Sequence, residues 1–356
     1  LARIFGDSFD TVNTAYFPLG WDKTTGNVTP TIETGVVGAT GNCLRLAAGL
    51  TNNDFVRKNL PDTYSRLCMG MRHQCYALPV SGYAPICSYW DGAAASDTTL
   101  YLDAAGQLSV WYSNRGTQSG SSSVPALIHP GTWSHIIFDL TWGTSGAGFN
   151  VYVNSQLVLT ASSVQTSPNN SNMGMVGLWG GTPNNSGQAF QFFDDFYVND
   201  FTGSYNNGSD GDIEALPFFP NAAGQFTQMT IGGTSPAATN FGSVNQTSPD
   251  DDVTYVLAAT NGLLDTYKVG PLPANVSQIV CVDTIIDGKT DAAGLGAGAT
   301  IAPVLGNGTT TVVGTAQTLN TNYQYRRQYW GFNPITTTAW SLPDWNSVET
   351  GIKRIS

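Results

Sequence analysis

Carboxylates are the first place to look for chemistry in this sequence. Retaining glycoside hydrolysis needs two of them about 5 Å apart on one surface. The chain has three glutamates, Glu33, Glu214 and Glu349, far apart and in unrelated contexts, so that arrangement finds no candidates. Asp194 and Asp195 are adjacent, and in an extended strand their side chains leave on opposite faces. That suits a carboxylate satisfied near a strand end, or a calcium ligand, better than a catalytic pair. Asp250-Asp251-Asp252 follows Ser248-Pro249 and reads as an exposed turn, where crowded like charges are relieved by solvent or by a hard cation. Asp194, Asp195 and Asp251 are therefore the candidate calcium ligands, without the spacing of an EF-hand, and calcium is the one cofactor the sequence offers.

Other chemistry is harder to assemble. His73, His129 and His135 have no Gly-x-Ser-x-Gly elbow leading from a strand into a helix to work with. The glycines of 294–298 precede no amphipathic helix, so they do not read as a phosphate cradle. Five cysteines, Cys43, Cys68, Cys75, Cys87 and Cys281, form no C-x-x-C pair. They read as buried thiols, with one disulfide among the first four as the alternative. Aromatic residues are abundant, with nine Trp, fifteen Tyr and sixteen Phe. Trp90, Trp111, Trp179 and Trp330 stand near turns rich in Asn, Gly and Asp, the company such rings keep in sugar sites. Trp90 and Trp179 are the glycan-binding candidates, with core packing as the alternative for each. With no catalytic set in view, the chain is expected not to be an enzyme.

The elements that would position these residues are strands. Ile136, Phe138, Leu140 and Trp142 alternate with His135, Asp139 and Thr141, and Ile137 interrupts the polar face. Phe149, Val151 and Val153 repeat the pattern before Asn154-Ser155, which reads as a tight turn. Leu100–Asp103 and Leu108–Trp111 form a second hairpin. Further strands are expected at 226–231, 253–258, 266–269, 278–286, 309–314, 323–330 and 339–342. Forty glycines and eighteen prolines punctuate the chain, as many short strands require. The expectation is an all-β protein of two β-sandwiches, residues 1–202 and 213–356, joined by a turn-rich linker at 203–212.

Charged residues make up 11% of the chain, against about 25% in an average soluble protein. A net charge of −11 with scattered cations leaves no stripe for phosphates, which argues against nucleic-acid binding. No apolar run approaches the ~20 residues that span a bilayer, so membrane insertion is not expected. The first residues carry no secretory pattern; release by lysis, or a leader already removed, is expected.

The segments Asn42–Leu46, Leu100–Trp111, Thr132–Ile136, Val151–Asn154 and Phe193–Val198 together resemble the laminin-G-like, or concanavalin A-like, jelly roll, with Ser155 where that family usually has glycine. The order of such a sandwich, an Asp- and Gly-rich bridge, Asp250–Tyr255, Ala339-Trp340-Ser341 and Gly351-Ile352-Lys353 is similar to virion structural proteins of tailed bacteriophages. That resemblance implies a non-enzymatic structural subunit on the virion surface, assembled in the host cytoplasm. It would be a homo-oligomer in contact with other capsid or tail proteins. The alternative is a host-recognition module binding surface glycans, and a glycan hydrolase is a third reading.

Overall fold

In the computed structural model the chain is all-β and divides into two compact units, residues 1–216 and 217–356. The structure describes residues 3–10, 20–25, 30–39, 41–47, 55–93, 97–112, 117–121, 125–169, 172–180, 190–291 and 298–356. Positions 294–297 of the glycine cluster lie outside them. Among the described residues no helix is long and apolar enough to cross a membrane.

The first unit begins with β1 (Arg3–Asp7), β2 (Lys23–Thr25), β3 (Thr31–Thr34), β4 (Asn42–Ala47), β5 (Phe55–Tyr64), β6 (Arg66–Cys75), β7 (Tyr83–Asp91) and β8 (Asp97–Asp103). It continues with β9 (Leu108–Tyr112), β10 (Thr117–Ser121), β11 (Ser134–Thr141), β12 (Ala147–Val153), β13 (Gln156–Val164), β14 (Met173–Trp179) and β15 (Phe190–Asn199). One antiparallel sheet runs β13-β12-β11-β6-β15-β4-β3, with β1 also on β15, and the other runs β10-β9-β8-β7-β14-β5-β2. Strand alternation builds the core between them. Ile136, Phe138 and Leu140 of β11 lie beside Leu67, Met69 and Met71 of β6, and all six are fully buried. From the opposite sheet Tyr89 brings its ring to 5.2 Å from that of Phe138. Its hydroxyl donates to the Phe138 carbonyl at 2.5 Å and accepts the Met69 N–H at 2.9 Å, so the two sheets are tied by a satisfied polar group as well as by apolar contact. The β12–β13 turn has Asn154 at φ 48° and Ser155 at φ 66°, the paired left-handed geometry of a two-residue hairpin.

The segment 203–212, expected to be a linker, instead belongs to the first unit, whose boundary falls between Leu216 and Pro217. It straps the first sheet. Arg3 and Asp210 form a buried ion pair at 2.5 Å, the Tyr197 hydroxyl donates to the Gly211 carbonyl at 3.2 Å, and the Ala215 N–H donates to Asp195 at 2.8 Å. On the same outward side of β11, His135 and Ile137 are each only 4% exposed. A face that is covered has no need of polar residues, which accounts for Ile137 in the otherwise alternating pattern.

The second unit is also antiparallel β: β16 (Pro220–Thr227), β17 (Thr230–Gly232), β18 (Tyr255–Leu257), β19 (Leu264–Val269), β20 (Val282–Gly288), β21 (Thr300–Gly306), β22 (Thr311–Val313), β23 (Gln317–Thr318), β24 (Gln324–Trp330) and β25 (Glu349–Arg354). Its main sheet runs β16-β19-β25-β21-β22 with β23 on β21, beside the ribbons β17-β18 and β20-β24. Ile279, Leu305, Trp330, Trp340, Trp345 and Val348 form its apolar core. The strand expected at 339–342 is not formed; the chain there enters a single helical turn, α1 (Leu342–Trp345), capped by reciprocal hydrogen bonds between Ser341 and Asp344.

Candidate functional site

The side chains that converge lie on the outward face of the second sheet of the first unit. Along β5, β14, β7, β8 and β9 one set of alternating residues faces the core: Val56, Val176, Leu178, Cys87, Tyr89, Leu100, Leu102 and Val110, all buried. The intervening residues point away from it. Strand register places Arg57 opposite Gly177, Gly177 opposite Ser88, Ser88 opposite Thr99 and Thr99 opposite Trp111. Phe55 and Trp179 pair in the next row.

Phe55, Trp90 and Trp179 form a triangle with ring centroids 5.5 Å (Phe55–Trp90), 4.8 Å (Phe55–Trp179) and 5.8 Å (Trp90–Trp179) apart, all tilted. Trp90 is 7% exposed and acts as the support, while Phe55 and Trp179 are half-buried and present ring surface. Trp90 reaches this position because residue 177 has no side chain: a Cβ there would lie 2.8 Å from its ring. A second aromatic group lies across the sheet, with Tyr83 at 5.3 Å from Trp111 and 6.4 Å from Tyr101. Between the two groups runs a strip of buried hydroxyls. Trp179 Nε1 donates to Ser88 Oγ at 2.6 Å, Ser88 and Thr99 share a hydrogen bond at 2.5 Å, and Thr99 donates to Asp97 at 2.8 Å. Trp111 Nε1 donates to Ser109 Oγ at 2.8 Å. From β14 to β9 is three strand spacings, about 14 Å, a platform for a short oligosaccharide rather than for one ring.

Of the residues singled out from sequence, Trp90 and Trp179 are brought together here, and Trp111 joins the same face. Trp330 does not; it is in the core of the second unit, its Nε1 donating to Thr284 at 3.0 Å. Phe55, Arg57 and Tyr83 went unnoticed, although the alternation of Phe55, Arg57 and Asn59 in one strand carries the signal.

The calcium candidates do not assemble. Asp194 and Asp195 are buried in β15, where Asp194 accepts the Asp195 N–H at 2.9 Å and Asp195, at φ 50°, receives the strap. Asp251 belongs to the second unit, in a turn at φ 55°. Among the described residues no group of three or more His, Cys, Asp or Glu could hold a metal ion. Cys43, Cys68, Cys75 and Cys87 are buried free thiols, and burial pushes Cys43 up to about 12. His73 is fully buried, its Nε2 at 2.8 Å from Gln191 Oε1, and burial pulls it down to about 4. His129 is exposed. Two concavities lie elsewhere: one of about 320 Å³ beside the Arg66–Asp139 ion pair, and one of about 420 Å³ beside Glu349. Neither gathers the aromatic residues of the outward sheet face.

Two antiparallel sheets packed face to face define the class of the first unit. Residues 79–202 match the Laminin_G_3 family, described as the concanavalin A-like lectin/glucanases superfamily, and the chain therefore contains a concanavalin A-like jelly roll. No curated protein matches the chain in sequence. Similar solved structures include an endo-β-1,4-glucuronan lyase from the fungus Trichoderma reesei, at 14% identity and a TM-score of 0.41, covering 54% of this chain and 95% of that one. The alginate lyase Aly36B shares 10% identity at a TM-score of 0.39, covering 56% of this chain and 93% of that one. The binding domain of botulinum neurotoxin DC in complex with SialylT shares 10% identity at a TM-score of 0.35, covering 83% of this chain and 72% of that one.

These matches correct the expectation that the chain is not an enzyme. Similar solved structures include proteins described as polysaccharide lyases, and the missing glutamate pair speaks to one glycosidase arrangement alone.

Proposed function

We propose that the first unit recognises carbohydrate through the face built on Phe55, Trp90 and Trp179, and that it does so on the exterior of a tailed-phage particle. The observation that carries the reading is the convergence of three aromatic rings from separate strands beside buried hydroxyls on a sheet face turned away from the core. Sugar rings offer flat patches of C–H that pack on such rings and hydroxyls that bond to neighbouring polar groups. Trp90→Ala and Trp179→Ala are expected to weaken binding on an array of host-envelope glycans by about tenfold or more, the usual effect of truncating a central aromatic anchor. Undiminished binding in both variants rejects the site, and silence across the array rejects the function. Sizing the glycans after incubation reports any cleavage in the same experiment.

The particle setting, with capsid or tail proteins and further copies of the chain as neighbours, is supported by the whole-chain resemblance described above. Mass spectrometry of purified virions is expected to detect the protein, and its absence from washed particles rejects that setting.

A further inference from the structure

Among the described side chains of the first unit, the cations are almost all paired. Arg3 pairs with Asp210, Arg45 with Glu33, Lys58 with Asp22, Arg66 with Asp139, and Arg72 with Asp195 and Asp212. Among the described side chains of that unit, the exception is Arg57, which has no ion pair. Its Nε is buried and donates to nothing. A guanidinium keeps its charge at any relevant pH and presents donors in a rigid planar fork. Leaving a buried donor unmade costs free energy, so an unpartnered guanidinium marks a place where an acceptor is missing.

Its address gives the acceptor's chemistry. Arg57, partly exposed, lies between Phe55 and Asn59 on the outward face of β5, opposite Gly177, the gap into which Trp90 leans. Resting on the reading of this face as a carbohydrate platform, we propose that Arg57 is its ionic anchor, binding the anionic substituent of an acidic sugar whose ring packs on Phe55 and Trp179. Two oxygens of a carboxylate or of a sulfate ester match the fork of the guanidinium, and an uncharged sugar hydroxyl satisfies it less well. The chain's net charge of −11 repels polyanions in general, so affinity for an acidic glycan must come from a local feature such as this one.

The test uses the full chain and two matched pairs of probes: polygalacturonate with its carboxyl-reduced galactan, and dextran sulfate with dextran. Titration calorimetry at low and at physiological salt is run on the unaltered protein and on Arg57→Gln, Arg57→Lys and Trp179→Ala. At least one acidic probe is expected to bind tenfold or more tighter than its neutral partner, and the pair in which this occurs identifies the group as carboxylate or sulfate. Arg57→Gln is expected to bring that acidic probe down to the neutral level, and Arg57→Lys to recover only part of the difference. Trp179→Ala is expected to weaken both members of the pair alike. Equal affinity for acidic and neutral members, or an equal loss for both in Arg57→Gln, overturns the anchor and leaves the carbohydrate face standing. No binding to any of the four removes both.

Discussion

Replacing Asp265 with alanine is expected to destabilise the second unit by about 4 kcal/mol, since a buried carboxylate's loss strands every donor that served it. Asp265 is fully buried at the edge between β16 and β19. One oxygen accepts the backbone N–H groups of Gln228 at 2.6 Å and Met229 at 2.8 Å, and the other accepts Asn240 Nδ2 at 2.5 Å and the Tyr267 hydroxyl at 3.0 Å. Four neutral donors hold the charge, with no cation among them. Burial, reinforced by the Asp265 charge, keeps the Tyr267 phenol well above its ordinary value, so that hydroxyl stays a donor. Asp265→Asn should cost less, because the amide oxygen still serves one pair of donors while its NH₂ group opposes the other. Denaturant titration gives the magnitude, and hydrogen exchange at the Gln228 and Met229 amides localises it. A loss below 1 kcal/mol for the alanine variant, or unchanged exchange at those amides, contradicts the account.

Acid should weaken the first unit through His73. Burial lowers its pKa from 6.5 to about 4, so the folded state holds the ring neutral while the unfolded chain takes up a proton. The sign follows from linkage: where the unfolded state binds more protons, stability falls as pH falls. The contribution is therefore intact above pH 6.5 and is lost progressively down to about pH 4. At ~1.4 kcal/mol per unit, the loss approaches 3 kcal/mol. His135, also lowered by burial, acts in the same direction. Asp10 opposes them: burial raises it to about 6, so protonation in that window favours the folded state. Because these terms overlap, the informative quantity is the difference between the unaltered chain and His73→Gln, which keeps a donor for Gln191. That difference should change by about 3 kcal/mol between pH 7 and pH 4, and a flat difference across the range would show that His73 is not the group responsible.

Much of the architecture is legible in the residues, because alternation is a local signal. β11, the β8–β9 hairpin and the Asn154-Ser155 turn all occur where the pattern places them. The central pair of the second unit, β21 and β25, was missed for physical reasons. β21 carries Pro303, which cannot donate to a ladder and so argues against an interior strand. It is tolerated between β25 and β22, and its carbonyl accepts the Gly314 N–H at 2.8 Å. β25 reads Glu-Thr-Gly-Ile-Lys-Arg, and its charge disguises a strand whose Glu349 is buried by accepting from Thr266 at 2.8 Å and the Gln225 N–H at 2.9 Å. At the site, tryptophan beside turn formers was enough to nominate Trp90 and Trp179. Alternation in β5 puts Arg57 on the face of Phe55, but what singles it out, the lack of a counter-ion, is a property of folded neighbours and not of sequence.

The strap over the first sheet separates two meanings of the word domain. The segment that matches the family runs from residue 79 to 202, whereas the segment that closes upon itself continues to 216. Those intervening residues supply Asp210 to Arg3, Gly211 to Tyr197 and Ala215 to Asp195. Ending this sandwich at residue 202 would part Arg3 from its counter-charge and remove the partners of Tyr197 and Asp195, so the border of the recognisable segment and the border of the stable unit fall at different residues.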